Sequence, residues 1–210
     1  MYIPKIYDEK DKKKITGIIK DNPFGILVAV ENGIPVASHL LFELVERGSD
    51  LFLYSHLAKA NQMQALLKLD LTFLAIFQGA SSYITPSWYE KINVPTWNYI
   101  SVHCYGKAKI IDNHDEEYQL LNRLVKRFEK KYDYKYKLED LPDDYVKDEM
   151  KGLTSFIIKI DKIEAAFKLS QNRNEKDLNN IISHLEKSDD DNEKQVAKGM
   201  REQRGLSEIS

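Results

Sequence analysis

Residues 24–45 read FGILVAVENGIPVASHLLFELV, and this stretch decides how the first part of the chain folds. Two apolar runs, Phe24–Val30 and Pro35–Val45, flank the tripeptide Glu31-Asn32-Gly33. Asn-Gly between two such runs is a strong signal for a β-hairpin, because glycine tolerates the positive φ angle that a tight turn requires. The stretch therefore predicts two antiparallel strands joined by a short turn.

Four further strands are predicted along the chain, with helices mostly at the edges of the run of strands. The strands are Asp50–His56, Leu71–Phe77, Trp97–Ile111 and Thr154–Leu169. The helices are Asp8–Asp21, Leu57–Leu69, Asn113–Tyr132, Pro142–Lys151 and Lys176–Lys187. This order predicts a mostly β, α+β fold built on a closed or split barrel of antiparallel strands. No G-x-G-x-x-G motif follows a strand, which argues against a Rossmann domain.

Three of these elements also carry predictions about burial. The almost unbroken apolar run Leu71–Phe77 predicts a strand that is buried on both faces. Alternation in Trp97–Ile111 places Ile100, Val102 and Cys104 on one side of the strand. The helix Asn113–Tyr132 is expected to bury an apolar face made of residues at 3-4-3 spacing, which are Tyr118, Leu121, Val125 and Phe128.

Composition narrows the class of protein. The 210 residues carry a net charge of -2, which argues against a protein that holds nucleic acid mainly through its phosphates. Cys104 is the one cysteine, so an intrachain disulfide and a cysteine-rich metal site are excluded, and a reducing cytoplasm is the natural compartment. The sequence shows neither a secretory signal nor a run of about 20 apolar residues that would cross a membrane.

The chain is expected to form one main domain and a tail. Residues 1–187 make the domain, in which residues 113–152 are a helical insertion. The segment Ser188–Glu193 is an acidic spacer without apolar residues, and a very polar stretch follows it. Residues 188–210 are therefore interpreted as a polar tail, either disordered or helical.

The segment Leu53–Gln62 is the first of three chemically unusual places. A strand runs through Tyr54 and Ser55, and the predicted helix begins directly after it. The first turn of a helix leaves backbone N–H groups unpaired, so Ser55, His56, Lys59 and Asn61 are candidates to hold a phosphate there. The alternative is a helix capped by Ser55, with Lys59 on its solvated face.

The other two places lie later in the chain. Residues 77–89 and 94–99 contain both tryptophans and little charge, so they line a flat aromatic ligand or pack in a subunit interface. Lys168–Arg173 offers many hydrogen-bond donors for an anionic or carbonyl-rich ligand, and the alternative is an ordinary strand exit. His39, His56 and His103 lie on or beside strands but lack metal-ligand spacing, which favours structural or ligand-contacting roles over a metal or haem.

Four strings in this sequence resemble the PaiB family, which is described as FMN-binding negative transcriptional regulators. The strings are His56–Asn61, Tyr83–Tyr89, Val94–Tyr99 and Lys168–Arg173, and the resemblance covers about residues 1–173. The family is similar to the FMN-binding split β-barrels that include pyridoxamine 5′-phosphate oxidases. The resemblance implies a split-barrel flavin-binding domain, FMN as the cofactor, and a homodimer with the flavin near the subunit interface.

The resemblance also implies a set of cofactor-binding residues. The phosphate would lie at Tyr54–Asn61, and the edge of the strand beside it would meet the flavin ring. The full set is Ser38, His39, Leu40, Tyr54, Ser55, His56, Lys59, Asn61, Gln78, Trp97, Asn98, Lys168, Gln171 and Arg173. The family more often has Gly, Arg and Pro where Ser55, Lys59 and Gln62 stand, and lysine lacks the bidentate fork of arginine.

Three functions remain open from the sequence. The first is an FMN-binding regulator, the second an FMN-dependent oxidoreductase acting on a small molecule, and the third a dimeric interaction module without flavin. Transcriptional regulation, the function described for the family, makes DNA a possible partner. Neither the charge balance nor a motif in this chain supports direct contact with DNA.

Overall fold

The computed structural model describes residues 1–132 and 136–205, and this part of the chain forms an α+β fold. Its strands are β1 (Phe24–Glu31), β2 (Ile34–Leu41), β3 (Glu43–Arg47), β4 (Asp50–Ala58), β5 (Thr72–Ile84), β6 (Thr96–Ile110) and β7 (Leu153–Lys168). Its helices are α1 (Lys12–Asp21), α2 (Met63–Leu66), α3 (His114–Glu129), α4 (Asp143–Met150), α5 (Glu175–Glu186) and α6 (Asp191–Arg204). The strand order in the sheet is β2-β1-β5-β6-β7-β4-β3.

The chain divides into two compact units that are interleaved in sequence. The first unit contains Met1–Asn22, Phe77–His103 and Glu164–Ser210. The second unit contains Pro23–Ile76 and Cys104–Ile163. The strands β5, β6 and β7 each contribute residues to both units, because the boundaries at 76/77, 103/104 and 163/164 fall within them.

The predicted hairpin is confirmed. Strands β1 and β2 pair antiparallel over eight residues, and Asn32 and Gly33 turn the chain with φ angles of 50° and 82°. The second arm, expected to run from Pro35 to Val45, is interrupted at Phe42, whose N–H donates to the carbonyl of Pro23 at 2.8 Å. The arm therefore forms two strands, β2 and β3, instead of one.

The predicted helix Leu57–Leu69 is wrong in length. Strand β4 continues to Ala58, where Leu57 pairs with Thr154 and Ala58 pairs with Leu153 of β7. The helix α2 has only four residues, and its N-cap position makes no side-chain hydrogen bond. Pairing with β7 satisfies the backbone of this segment over a distance in sequence that a local pattern does not reveal.

The long strands β5 and β6 differ in how well their burial follows the sequence. Burial of Ile100, Val102 and Cys104 in β6 is confirmed. In β5 the buried residues alternate with partly exposed ones, so the expectation of burial on both faces is wrong. Strand β5 also continues to Ile84, so residues 78–84 belong to a strand and not to the predicted aromatic loop.

Helix α3 is confirmed, but its buried face differs from the expected one. Asn113 caps the helix, and Leu120 and Leu124 are its buried apolar residues. They pack with Tyr54 and Ile111 in one cluster of the second unit. The residues at 3-4-3 spacing are only partly buried, because the cluster lies one residue away from that stripe.

Residues 191–204 form helix α6. They belong to the segment that the sequence predicted to be either a disordered or a helical tail. Val196, Ala197 and Met200 of α6 are fully buried. Arg201 forms a bidentate pair with Glu186 of α5, with N···O distances of 2.6 and 3.1 Å. None of the helices in the described part of the chain is long and apolar enough to cross a membrane.

Candidate functional site

Asn61, in the turn after β4, is hydrogen-bonded to Ser38 of β2. The Ser38 hydroxyl donates to Asn61 Oδ1 at 3.2 Å, and the same oxygen accepts from the backbone N–H of Met63 at 2.9 Å. Among the described residues, none accepts a hydrogen bond from the Asn61 amide nitrogen. The structure thus brings two predicted site residues together, and it leaves an amide donor available beside them.

Lys59 follows β4 directly and lies at the wall of an open cavity of about 640 Å³ in the second unit. Its backbone N–H continues the strand pairing by donating to Gly152 O at 2.8 Å, while its side chain forms no ion pair with a described carboxylate. The cavity is also lined by Lys68 after α2, by Lys147 of α4 and by Lys151, the residue that follows α4. Four amino groups from three segments of the chain therefore surround one space.

The four lysines outnumber the two carboxylates that line this cavity, Asp112 and Glu117. Among the described residues, Lys151 alone of the four is paired, with Asp148 at 2.7 Å. Glu117 of α3 accepts a hydrogen bond from the Ser155 hydroxyl at 2.8 Å. The excess of positive charge favours an anion. Sequence reasoning missed the lysines of α4, because an exposed lysine about 90 residues after Lys59 looks like any solvated one.

Two residues of the predicted phosphate segment have other hydrogen-bonding partners. Ser55 lies within β4 and donates to Leu41 O at 2.9 Å, so the alternative in which it caps a helix is wrong. The Tyr54 hydroxyl contacts Arg47 and Glu116 beneath α3. Burial, with a smaller contribution from Glu116, raises the pKa of Tyr54. Both side chains hold the strand and helix in place.

The histidines of the second unit occupy different environments. Burial lowers the pKa of His56, and its Nδ1 atom has no hydrogen-bonding partner among the described residues. His39 is exposed and stacks on Phe24 with ring centroids 6.1 Å apart, while its neighbour Leu40 is buried. No group of three or more His, Cys, Asp or Glu side chains in the described residues is arranged to hold a metal ion.

The remaining predicted residues belong to the first unit and form smaller groups. Gln78 and Trp97 line a cleft of about 250 Å³ together with Ser101. Asn98 is fully buried, where its amide nitrogen donates to the Ser170 hydroxyl at 3.0 Å and its oxygen accepts from that hydroxyl at 3.1 Å. Ser170 has a φ of 61°, a left-handed conformation that is uncommon for serine.

The strand exit after β7 is held by its own side chains. Gln171 accepts from the backbone N–H of Leu169 at 2.7 Å and donates to Phe167 O. Lys168 Nζ donates to the Thr96 hydroxyl at 2.6 Å. Sequence reasoning interpreted this segment as a set of donors for a ligand, and the structure shows that Gln171 uses both ends of its amide within the loop.

A comparison with protein families assigns the fold and cofactor class. Residues 1–162 match the family model described as a putative FMN-binding domain. The chain belongs to this family. The resemblance to the PaiB family is confirmed by 36% identity to the protease synthase and sporulation protein PAI 2 of Bacillus subtilis, over 96% of this chain and 97% of that protein. An uncharacterized protein of Emericella nidulans is 30% identical, with the same shares covered.

Solved structures agree with the PaiB-type fold. A FAD- and haem-binding protein from Mycobacterium smegmatis superposes with a TM-score of 0.56 at 15% identity, covering 77% of this chain and 73% of that one. A flavocytochrome from Azotobacter vinelandii gives a TM-score of 0.54 at 16% identity, covering 81% and 74%. The predicted α+β split-barrel fold is thereby confirmed. FMN as the cofactor of the family is confirmed by the family model that matches residues 1–162.

The residues around Lys59 fit the phosphate end of FMN. A phosphate monoester needs positive charge and several hydrogen-bond donors. Lys59 supplies an amino group without a carboxylate partner among the described residues, and Lys68 and Lys147 add charge from the same cavity. Asn61, two residues after Lys59 but not itself part of the cavity wall, supplies an amide donor. The predicted start of a long helix does not contribute, because α2 is only four residues long.

Proposed function

We propose that this protein is a PaiB-type regulator whose conformation or partners depend on bound FMN, and that the flavin phosphate lies at the lysine-lined cavity beside Lys59. The observation that carries the proposal is the convergence of Lys59, Lys68 and Lys147 on one space with no carboxylate partner among the described residues. FMN supplies redox and light-absorbing chemistry when it is bound.

The roles of the residues follow from their contacts. Lys59 and Asn61 bind the phosphate, and Ser38 orients Asn61 through its hydrogen bond. His39 and Leu40 follow Ser38 on strand β2, which supports a place for them along the flavin ring. The neutral imidazole of His56 can accept or donate one hydrogen bond to the cofactor, since its Nδ1 has no partner in the described chain.

A homodimer in the cytoplasm is part of the same proposal. Ile92, Val94 and Trp97 of the first unit are large apolar side chains that are at least half exposed. A second copy of the chain would bury them, which supports the subunit-interface alternative for this loop. The single buried cysteine is compatible with a reducing compartment, because no disulfide is needed.

The regulatory role is proposed to be indirect. The net charge of -2 argues against a protein that holds DNA mainly through contacts to its phosphates. We expect no retention of a non-specific duplex at low salt. Salt-sensitive and sequence-selective retention of DNA would contradict the indirect role. Reduction of bound FMN by a nicotinamide cofactor, coupled to turnover of a small molecule, would favour an oxidoreductase instead.

Titration with FMN, followed by flavin fluorescence, tests the cofactor site. If Lys59 makes a charge-assisted hydrogen bond to the phosphate, Lys59→Ala weakens FMN binding by about 1.5–3 kcal/mol, while riboflavin, which lacks the phosphate, loses much less. Lys187→Ala removes an exposed lysine of the first unit and is the matched control. Equal FMN affinity in the Lys59 variant and wild type would remove the phosphate from this position.

A further inference from the structure

A second group of cationic side chains lies in the first unit, where the strand exit after β7 meets the loop between β5 and β6. Lys168 donates to Thr96 at 2.6 Å, and the guanidinium carbon of Arg173 lies 4.6 Å from the centroid of the Tyr89 ring. We call Tyr89, Thr96, Lys168 and Arg173 the basic loop cluster. The cluster contains residues from three of the four sequence strings quoted above, Tyr83–Tyr89, Val94–Tyr99 and Lys168–Arg173.

Two polar atoms of the basic loop cluster are buried without a partner. The Tyr89 hydroxyl and Arg173 Nε have no hydrogen-bonding partner among residues 1–132 and 136–205. Tyr89 is only 8% exposed. A buried donor left unpaired costs about 1–3 kcal/mol, so such atoms are rare and call for an explanation. An acceptor from outside the chain would satisfy both.

The positive charge of the cluster is not neutralised from within the unit. Neither Lys168 nor Arg173 forms an ion pair with a described carboxylate. Glu90 of the loop pairs with Lys176, and Asp177 of α5 accepts a hydrogen bond from the backbone N–H of Glu90 at 2.9 Å. Burial, followed by the charge of Arg173, lowers the pKa of Lys168.

We propose that the basic loop cluster is a binding site for the phosphate or carboxylate group of a small molecule other than FMN. FMN carries one phosphate, and the lysine-lined cavity beside Lys59 accounts for it in the proposed function. The cluster therefore serves a second, anionic ligand. Arg173 offers a planar fork to two oxygens, Tyr89 donates from its hydroxyl, and Lys168 supplies a point charge.

Thermal unfolding of the FMN-saturated protein tests this site, with inorganic phosphate in one arm and acetate in the other. Sodium chloride at equal ionic strength is the reference, because screening alone gives no saturable effect. We expect a saturable rise in Tm with one of the two anions, which also identifies the preferred group. Ligands that bind only the folded state raise its stability by mass action.

Variants of the cluster sharpen the test. Arg173→Gln and Lys168→Gln should each raise the Kd for the anion about tenfold or more, since each removes a charge-assisted hydrogen bond. Lys91→Gln is the matched control, because it removes one positive charge from an exposed lysine in the same loop. Tyr89→Phe should raise the Kd about fivefold without lowering the Tm of the anion-free protein, since the hydroxyl it removes has no partner.

Three results would overturn the proposal. The first is an anion effect that persists unchanged in Arg173→Gln and Tyr89→Phe, or that is lost equally in Lys91→Gln. The second is release of FMN as the anion is added, which would make the cluster part of the flavin site. The third is the absence of a saturable effect of either anion. The anion titration is repeated on flavin-free protein. Because the cluster does not depend on the residues around Lys59, an anion effect there shows that the cluster binds the anion even if FMN binding fails.

Discussion

A methyl group at position 106 tests whether strands β6 and β7 lie as close together as the structure places them. A Cβ atom built on Gly106 falls 2.0 Å from the carbonyl oxygen of Lys159 and 2.9 Å from Ile158 Cγ2. Carbon–oxygen contacts between strands are about 3.3 Å or longer. The backbone of β7 must therefore retreat by about 1 Å, and a backbone carbonyl cannot swing away as a flexible side chain does.

The expected loss of stability from Gly106→Ala is large. Overpacking a tight site costs about 1–3 kcal/mol, and more where backbone must move, so we expect at least about 3 kcal/mol. Domains of this kind are stable by only about 5–15 kcal/mol. Urea unfolding followed by circular dichroism and tryptophan fluorescence measures the change as a shift in the midpoint.

The matched control is Gly17→Ala in α1. Apart from its chain neighbours and the backbone of its own helix, no described heavy atom lies within 4 Å of a Cβ built on Gly17, and alanine is the better helix former. This variant should gain about 0.5–1 kcal/mol. If Gly106→Ala unfolds at the same urea concentration as wild type, the close approach of the two strands at Lys159 is refuted, whatever the control does.

Two further predictions concern buried polar groups. Asn98→Ala leaves the buried Ser170 hydroxyl without its partner and should lower the free energy of unfolding by about 1–3 kcal/mol. The double variant Asn98→Ala with Ser170→Ala should lose less than the sum of the two single variants. Strictly additive losses in urea unfolding would contradict the direct hydrogen bond. Burial lowers the pKa of His56 below its usual 6.5, so the unfolded chain binds a proton that the folded chain does not, and stability falls as the pH drops from about 6.5 towards the folded-state pKa. His56→Gln should reduce that loss between pH 7.5 and 5.5, and an unchanged pH dependence speaks against a buried neutral imidazole.

Local chemistry explains the elements that the sequence predicted well. The hairpin followed from Asn32-Gly33, whose positive φ angles a turn requires. Helix α3 followed from the helical spacing of its apolar residues, and the structure adds that Asn113 caps it. The burial of β6 followed from strict alternation, which fixes the two faces of a strand. In each case the signal lies within the element itself.

The parts that were mispredicted depend on distant partners. Residues 57 and 58 have neighbours at helical spacing, but pairing with Leu153 and Thr154 keeps them extended. The buried stripe of α3 was placed one residue off, because the position of Tyr54 beneath the helix decides which residues are covered. The lysines of α4 came to the candidate site for the same reason, through tertiary packing that a local pattern does not show.

The interleaving of the two units restricts how this protein can be cut or recombined. The polypeptide passes between them four times, at residues 22/23, 76/77, 103/104 and 163/164. Neither unit is encoded by one continuous stretch of the gene, so gene fusion cannot exchange a whole unit. New specificity in a lineage of such chains is therefore expected to arise from single substitutions in loops and from changes near the ends of strands.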